Sequence, residues 1–219
     1  MTAPSTRAPD SLSAAERTTA ARARAVLFRN RGWLPVFFLA LPLLWPIGPQ
    51  PWQARMSAAH WAIGLLLIVV GEAIRLAGVA AAGTVTRRRS RAVQRLVTYG
   101  AFAWSRNPLY NGNFLIWIGF ATIAGLDWFI PLAIVIFAIE YSLIVRYEEG
   151  VLESIFGEEY LAYKRRTPRW IPRPPGARGA APADARYDWG EAWKSELSTF
   201  GQYVVLVIAF LVKERYFNR

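Results

Sequence analysis

The polar residues best suited to chemistry in this chain stand directly before an apolar segment. Residues 105–112 read Ser-Arg-Asn-Pro-Leu-Tyr-Asn-Gly. They set an arginine, a side-chain amide, a proline and a tyrosine at the mouth of a predicted membrane helix. Polar groups in such a position are costly unless they bind something. The segment therefore predicts a ligand site at a membrane surface.

A second polar set, Arg146, Glu148 and Glu149, stands at the end of the next apolar segment. The two apolar segments, 111–125 and 128–147, are separated by a tight turn and predict an antiparallel hairpin. Because the ends of such a hairpin share a depth, the two polar sets are expected to converge although about forty residues separate them.

These residue types suit a zwitterionic, nucleoside-like ligand. Pro108 fits the first turn of a helix, whose free N–H groups favour a carboxylate or another anion. The two glutamates offer acceptors to an ammonium or to sugar hydroxyls. Arg106, Arg146 or Arg169 could bind a carboxylate with two hydrogen bonds, and aromatic rings could flank a flat base or a sulfonium.

A purely structural role explains the same residues equally well. Arg106 could pair with Glu148 or Glu149 only to fix helix packing, and Tyr110 could be an interface anchor. The sequence has no Gly-rich phosphate loop, metal-ligand cluster or Ser-His-Asp pattern, so no metal site is expected. The single histidine, His60, is interpreted as an interfacial residue.

Composition indicates a membrane protein. Of 219 residues, 54% are hydrophobic and 14% aromatic, with ten tryptophans. This composition is typical of an integral membrane protein. Together with the apolar segments along the chain, it predicts an all-α, integral-membrane helical bundle with four to five membrane helices and a cytoplasmic C-terminal helical segment. The net charge of +11 favours basic loops beside lipid head groups over nucleic-acid binding. The chain has no cysteine, which excludes disulfides and thiolate sites.

The second apolar segment, 58–83, contains charges of its own. Glu72 and Arg75 lie at i and i+3 on one helical face. They either neutralise each other inside the bundle or contact a ligand, since intramembrane charges are candidates for function. Five arginines with no acid among them follow this segment, at positions 87, 88, 89, 91 and 95. They predict that this loop, and with it the polar site, faces the cytoplasm from an inner or plasma membrane.

The boundaries follow from composition. Residues 1–32 are expected to be a disordered, basic tail, 33–173 the membrane core, 174–185 a linker, and 186–219 an amphipathic or membrane helix. The apolar segment 33–48 is interrupted by prolines and predicts a kinked span or a re-entrant hairpin. Residues 147–163 predict one amphipathic helix, with Glu149, Phe156, Tyr160 and Tyr163 on a single face.

The two polar motifs together resemble a known family. Residues 100–112, Gly-Ala-Phe-Ala-Trp-Ser-Arg-Asn-Pro-Leu-Tyr-Asn-Gly, are similar to the first signature of the isoprenylcysteine carboxyl methyltransferase and phospholipid methyltransferase group. Residues 146–152, Arg-Tyr-Glu-Glu-Gly-Val-Leu, with the later Phe-Gly-Glu-Glu-Tyr and Thr-Pro-Arg-Trp-Ile-Pro stretches, resemble the second. Arg75 resembles the family's intramembrane arginine. The resemblance covers about residues 64–173.

The resemblance implies an integral-membrane methyltransferase that uses S-adenosylmethionine and acts on a membrane lipid or a lipidated substrate. It implies a cofactor pocket whose walls come from the two motifs, with Arg106, Glu148 and Glu149 as catalytic candidates. The substrate-binding candidates are Glu72, Arg75 and Trp104. The implied cofactor-binding residues are Arg106, Asn107, Pro108, Tyr110, Arg146, Glu148, Glu149, Tyr160, Tyr163 and Arg169.

One departure from the family pattern bears on mechanism. Position 107 is Asn where the isoprenylcysteine enzymes usually have His, and an amide cannot act as a general base. A carboxylate acceptor needs no base, whereas an amine acceptor must lose a proton, for which Glu148 or Glu149 is the nearest candidate. The sequence leaves both acceptors open, together with a non-catalytic scaffold and a lipid-binding or transport protein.

Overall fold

The described residues form helices joined by loops. The structure, a computed structural model, describes residues 34–83, 95–174, 181–183 and 185–217. Within these ranges the only extended pairing is an isolated bridge between Ile47 and Ala54. The all-α prediction is therefore confirmed. The helices are α1 (Leu34–Leu44), α2 (Ala58–Ala82), α3 (Ala101–Trp104), α4 (Pro108–Ile123), α5 (Phe129–Phe156), α6 (Glu158–Arg166) and α7 (Trp189–Phe217).

Three of these helices, α2, α5 and α7, are long and apolar enough to cross a membrane. The described part of α1 has 11 residues and α4 has 16. At 1.5 Å per residue they measure roughly 16 and 24 Å, less than a hydrocarbon core of about 30 Å. The integral-membrane character is thus supported, while the number of four to five spans stays a prediction.

Helices α2 and α4 pack with their backbones nearly in contact, because glycines face each other across the interface. A Cβ atom at Gly71 would lie 2.6 Å from the carbonyl oxygen of Gly112, and one at Gly64 would lie 2.6 Å from that of Gly119. Small residues permit this close approach between membrane helices. The packing fixes the start of α4, which carries the polar motif, against the end of α2.

An aromatic cluster joins α1, α4 and α5. Trp117 of α4 stacks on Phe38 of α1, with ring centroids 4.6 Å apart, and meets Phe137 of α5 edge-on at 5.5 Å. Tyr141 continues the cluster, stacked on Phe137 at 4.0 Å and edge-on to Tyr110 at 4.9 Å. The predicted α4–α5 hairpin is confirmed, and its aromatic core leads directly to the polar motif.

The amphipathic stretch 147–163 is two helices rather than the one predicted. α5 continues to Phe156, and α6 begins at Glu158. Gly157, between them, has φ 50°, a left-handed backbone conformation that glycine adopts without the penalty that other residues incur. The turn at Gly157 folds α6 back, so Tyr160 and Tyr163 are buried by a change of direction and not by a continuous helical face.

Helix α7 runs antiparallel to α2 over its whole length. At one end the Asp188 N–H donates to the Ala80 carbonyl at 3.0 Å. At the other end Trp61 Nε1 donates to Glu214 Oε2 at 2.8 Å. The buried Lys213 donates to the Pro42 carbonyl at 2.6 Å. This 29-residue helix is long and apolar enough to cross a membrane, and the choice between the amphipathic and the membrane helix stays a prediction.

Some predictions lie outside the described residues. These are the basic tail 1–32, the arginines at 87, 88, 89 and 91, and residues 175–180 and 184 of the linker.

Candidate functional site

The hairpin brings the two polar motifs together. α4 begins at Pro108, as predicted, which leaves Arg106 on the loop before it. Arg106 Nε and Nη2 donate to Glu149 Oε1 at 3.1 and 2.9 Å. The residues that the sequence predicted to converge are therefore in contact, although 43 positions separate them.

A second arginine completes this group. Arg169 Nε donates to Glu149 Oε1 at 3.1 Å, and its Nη2 donates to Oε2 at 2.6 Å. Glu149 is only 5% exposed, and a buried carboxylate is stable when charged donors satisfy its oxygens. We call Arg106, Glu149 and Arg169 the Arg106 cluster. The hydrogen bond from Arg169 to Glu149 also raises the pKa of the Arg169 guanidinium.

Arg106 holds the chain after α6 as well. Its Nη1 donates to the carbonyls of Lys164 and Thr167 at 3.1 and 2.6 Å. The Arg106 backbone N–H donates to the Pro168 carbonyl at 2.9 Å. One side chain thus joins the loop before α4, the end of α5 and the end of α6.

Three polar side chains of the first motif bind the carbonyls of residues 169 and 170. Ser105 Oγ and Asn107 Nδ2 donate to the Arg169 carbonyl at 3.1 and 3.0 Å. Asn111 Nδ2 donates to the Trp170 carbonyl at 2.9 Å. The sequence prediction did not include Ser105 and Asn111 in the site. Both stand inside the motif, and their polar character next to an apolar helix was the available signal.

Tyr110 lies in the first turn of α4. Its hydroxyl donates to Glu148 Oε1 at 2.8 Å, which places Glu148 beside the first turn of that helix. The side chain of the N-cap residue Asn107 makes no hydrogen bond to the helix, and its Nδ2 donates to the Arg169 carbonyl. The helix N-terminus is therefore not capped by its own N-cap side chain.

Tyr160 and Tyr163 form a buried aromatic wall on α6. Their ring centroids lie 6.0 Å apart, and the Tyr163 hydroxyl donates to the Phe102 carbonyl at 2.7 Å. Burial raises the pKa of both hydroxyls well above the usual value of a tyrosine. Both side chains are therefore protonated and neutral at physiological pH.

Two predicted site residues lie apart from this network. Arg146 is exposed on α5, three residues before Glu149, and the ion pairs described around Glu149 do not include it. The Trp104 side chain is 48% exposed, and only its carbonyl joins the loop, accepting from the Arg173 N–H at 3.0 Å. A role for either in binding would come from its position at the surface of the site.

The intramembrane charges Glu72 and Arg75 belong to a second group, the Arg75 cluster, with Asn113, Glu196 and Tyr203. Arg75 Nε donates to Glu72 at 3.2 Å, and its Nη2 donates to both oxygens of Glu196 at 2.9 and 3.0 Å. Arg75 Nη1 donates to Asn113. The Tyr203 hydroxyl donates to Glu72 Oε2 at 2.9 Å. These contacts are compatible with both predicted roles of Glu72 and Arg75, which are mutual neutralisation and contact with a ligand. A ligand carboxylate that binds Arg75 would have to displace Glu196 from the guanidinium of Arg75.

The part of the chain that carries Glu72, Arg75, Arg106, Asn113 and Glu149 is similar to known proteins. Residues 59–159 match the family model of the phospholipid methyltransferases. The protein-S-isoprenylcysteine O-methyltransferases of Mus musculus and Homo sapiens are each 36% identical to this chain, over 119 and 121 residues. The corresponding Arabidopsis thaliana enzyme B is 31% identical over 124 residues.

This region is therefore similar to the phospholipid methyltransferases and to the protein-S-isoprenylcysteine O-methyltransferases. The aligned residues are 51% of this chain and 41% of the mouse protein, 50% and 40% for the human protein, and 52% and 61% for the plant protein. The chain therefore spans about two fifths of the length of the mammalian relatives that it matches.

The family model ends at residue 159, so it includes Arg106 and Glu149 but not Arg169, Glu196 or Tyr203. Arg169 lies in the second sequence motif. Glu196 and Tyr203, on α7, lie after both the end of the family model and the end of that motif. No sequence signal paired Glu196 with Arg75, because that contact joins residues 121 positions apart through helix packing alone.

Proposed function

We propose that this protein transfers a methyl group from S-adenosylmethionine to a lipid or lipidated acceptor at the membrane surface. The observation that carries the proposal is the contact of Arg106 with Glu149, which joins the two motifs of a methyltransferase family at one end of the helix hairpin. The named relatives are isoprenylcysteine O-methyltransferases, and the family model is of phospholipid methyltransferases.

The site offers groups that fit the methyl donor. The first turn of α4, with Asn107, Pro108 and Tyr110, would hold the carboxylate end, because helix N-termini favour anions. Tyr160 and Tyr163 would flank the base, and Glu148 would face the ammonium. Arg146 and Arg169 would supply further contacts at the edge. When bound, S-adenosylmethionine supplies an electrophilic methyl group on its sulfonium.

The two glutamates would have different roles. Glu149 accepts four hydrogen bonds from Arg106 and Arg169, so it fixes those arginines and leaves little capacity for a substrate. Glu148, held by Tyr110, is the better candidate to take a proton from an amine acceptor. A carboxylate acceptor would need alignment and exclusion of water but no base.

Orientation and location are part of the proposal. We place the Arg106 end of the bundle in the cytoplasm, at an inner or plasma membrane, because Arg95 lies near the end of α2 through Tyr99 and the sequence between α2 and Arg95 is rich in arginine. Lipid acceptors would then reach the site from the cytoplasmic leaflet.

The test is methyl transfer from radiolabelled S-adenosylmethionine by the protein in nanodiscs. A total lipid extract and a prenylated cysteine are offered in parallel, and the product is identified by mass. We expect label in one of them. A methyl ester releases its label in base and an N-methyl product does not, which separates the two acceptor classes. Folded protein that labels neither substrate would contradict the proposal.

A further inference from the structure

The hydroxyl of Ser105 is the centre of a buried hydrogen-bond network of neutral groups. Ser105 is 1% exposed. Its Oγ donates to the Arg169 carbonyl at 3.1 Å, and it accepts from the Asn107 N–H at 3.2 Å and from Asn111 Nδ2 at 3.0 Å. A hydroxyl has one donor and two acceptor positions, so all three are used. Because a carbonyl can only accept, the direction of the Ser105 O–H is fixed.

This network holds Asn107 at two points. Its backbone N–H bonds to Ser105 Oγ, and its Nδ2 donates to the same Arg169 carbonyl as that hydroxyl, at 3.0 Å. Asparagine is among the residues that most often cap a helix with their own side chain. Asn107 is the N-cap residue of α4, yet its side chain makes no such bond. Main chain and side chain of Asn107 are thus both held in an orientation that leaves the start of α4 uncapped.

Asn111 ties the same hydroxyl to the segment after α6. Its Nδ2 donates to Ser105 Oγ and to the Trp170 carbonyl at 2.9 Å, which uses both of its N–H groups. The first turn of α4 and Arg169 both belong to the proposed methyl-donor site. These bonds therefore set the distance between two parts of that site.

Ser105 and Arg106 hold the segment after α6 by separate contacts. The Arg106 side chain binds Glu149 and carbonyls at the start of that segment. Ser105 binds the next part of it through neutral groups alone. Loss of the Ser105 hydroxyl would leave the ion pairs of the Arg106 cluster in place. It would leave the Asn107 N–H and one N–H of Asn111 without this acceptor, and an unsatisfied buried donor costs free energy.

We propose that Ser105 is a positioning residue for methyl transfer, which holds Asn107 and the Arg169 carbonyl in the arrangement that the methyl donor requires. Ser105 acts through Asn107 and the start of α4 and does not touch the donor, and this role rests on the proposed function. Without the hydroxyl, Asn107 Oδ1 would be free to turn to the first-turn N–H groups of α4 and compete there with the donor's carboxylate.

The test is calorimetric titration of the full-length protein in nanodiscs with the demethylated product of S-adenosylmethionine. Calorimetry gives the dissociation constant and the fraction of protein that binds as separate quantities. We expect Ser105→Ala to raise the dissociation constant at least about tenfold, with the binding fraction of the wild type. A folded Ser105→Ala variant with the wild-type dissociation constant, whatever its melting temperature or binding fraction, would have lost only a structural contact and would overturn the proposal.

Two further variants separate positioning from packing. Ser105→Thr keeps the hydroxyl but adds a methyl group at a buried position, which costs stability. We expect its dissociation constant to stay within about threefold of the wild type even if its melting temperature falls. The matched control is Ser154→Ala, which removes an exposed hydroxyl that donates to the Val151 carbonyl of its own helix and should leave binding unchanged. Equally weak binding by Ser105→Thr and Ser105→Ala, or weakened binding by Ser154→Ala, would contradict the assignment.

The experiment distinguishes two kinds of failure. Folded wild-type protein that does not bind the compound contradicts the proposed function and, with it, the role of Ser105. Wild-type binding with unchanged affinity in Ser105→Ala contradicts the role of Ser105 alone. If Ser105→Ala does not fold, Asn111→Ala replaces it, because it removes one of the three bonds to the hydroxyl. That variant should weaken binding at least about threefold, and unchanged affinity would overturn the proposal.

Discussion

Glu149 joins three segments of the chain through one carboxylate. Its donors come from the loop before α4 and from the segment after α6, and it stands near the end of α5. The side chains of Arg106 and Glu149 are nearly buried. Removal of one partner from such a pair leaves an uncompensated buried charge. The cluster therefore stabilises the site before any ligand binds.

The first prediction concerns this carboxylate. Glu149→Gln should lower the free energy of unfolding by about 3 kcal/mol, because two guanidinium groups lose their counter-charge. The measurement is denaturant unfolding in detergent. Glu153→Gln is the control, since its pair with Lys164 is partly exposed and should cost less than about 1 kcal/mol. Equal losses in the two variants would show that the Arg106 cluster does not stabilise the fold.

The second prediction concerns the Tyr110 hydroxyl. Tyr110→Phe removes the donor that holds Glu148 and keeps the ring against Tyr141. A hydrogen bond to a charged group contributes about 1.5–3 kcal/mol to stability, so the free energy of unfolding should fall by up to that amount. We also expect at least about a tenfold fall in methyl-transfer rate, because Glu148 loses the group that positions it. Tyr216→Phe, at an exposed ring, should retain the full rate. An unchanged rate in Tyr110→Phe would remove Tyr110 from the proposed site.

For single residues, the sequence predicted which side chains belong to the site better than it predicted which partners they contact. Arg106, Glu148, Glu149 and Tyr110 were identified because charged and polar groups are rare beside apolar helices. The partner of each remained open: Arg106 contacts Glu149, whereas Glu148 accepts from Tyr110. That choice depends on the rotation of α5 about its axis, which is set by the aromatic packing around Trp117 and Tyr141.

Among the helices, the α2–α4 pair depends most on small residues. The third prediction is that Gly71→Ala destabilises the fold and displaces the start of α4, because the new methyl group would meet the Gly112 carbonyl at 2.6 Å. We expect a lower melting temperature and weaker binding of the methyl donor. Gly150→Ala on α5 meets nothing within 4 Å and should be neutral or stabilising by up to about 1 kcal/mol. If both variants were neutral, the interface would be looser than described.

The end of a helix could be predicted from the sequence where a residue strongly favours one backbone conformation. Pro108 marks the start of α4 because proline is favoured in the first turn of a helix. Gly157 could likewise have indicated a helix end, because glycine readily adopts a left-handed conformation. The amphipathic pattern of 147–163 continued across it, however, and predicted one helix. A helical pattern on both sides of a glycine does not show whether the chain continues straight or turns.

On the scale of the whole molecule, the two ends of the bundle differ. The Arg106 cluster lies at one end, and the α4–α5 turn at Asp127 lies at the other, next to His60. The fourth prediction uses the absence of native cysteine. Ile171→Cys, at a 78% exposed residue, should react with an impermeant maleimide only after the membrane is opened, and Asp127→Cys should react in intact cells. The reverse pattern would invert the proposed orientation.

The C-terminal helix α7 could be predicted from the sequence as a helix, but its packing partner could not. The resemblance ended near residue 173, and the segment after it was left as an amphipathic or membrane helix. Its antiparallel packing on α2, through Asp188 at one end and Glu214 at the other, arises from contacts between distant residues. Its apolar stretch could predict insertion into the membrane but not the partner helix, because many helices offer a similar surface.

The most direct test of the account is calorimetric binding of S-adenosylmethionine to the full-length protein in nanodiscs. We predict that the methyl donor and its demethylated product both bind, and that Arg106→Ala weakens this binding by at least about tenfold, or 1.4 kcal/mol. Failure of the folded wild-type protein to bind either compound, or unchanged affinity in a folded Arg106→Ala variant, would contradict the central claim that the Arg106 cluster organises the methyl-donor site.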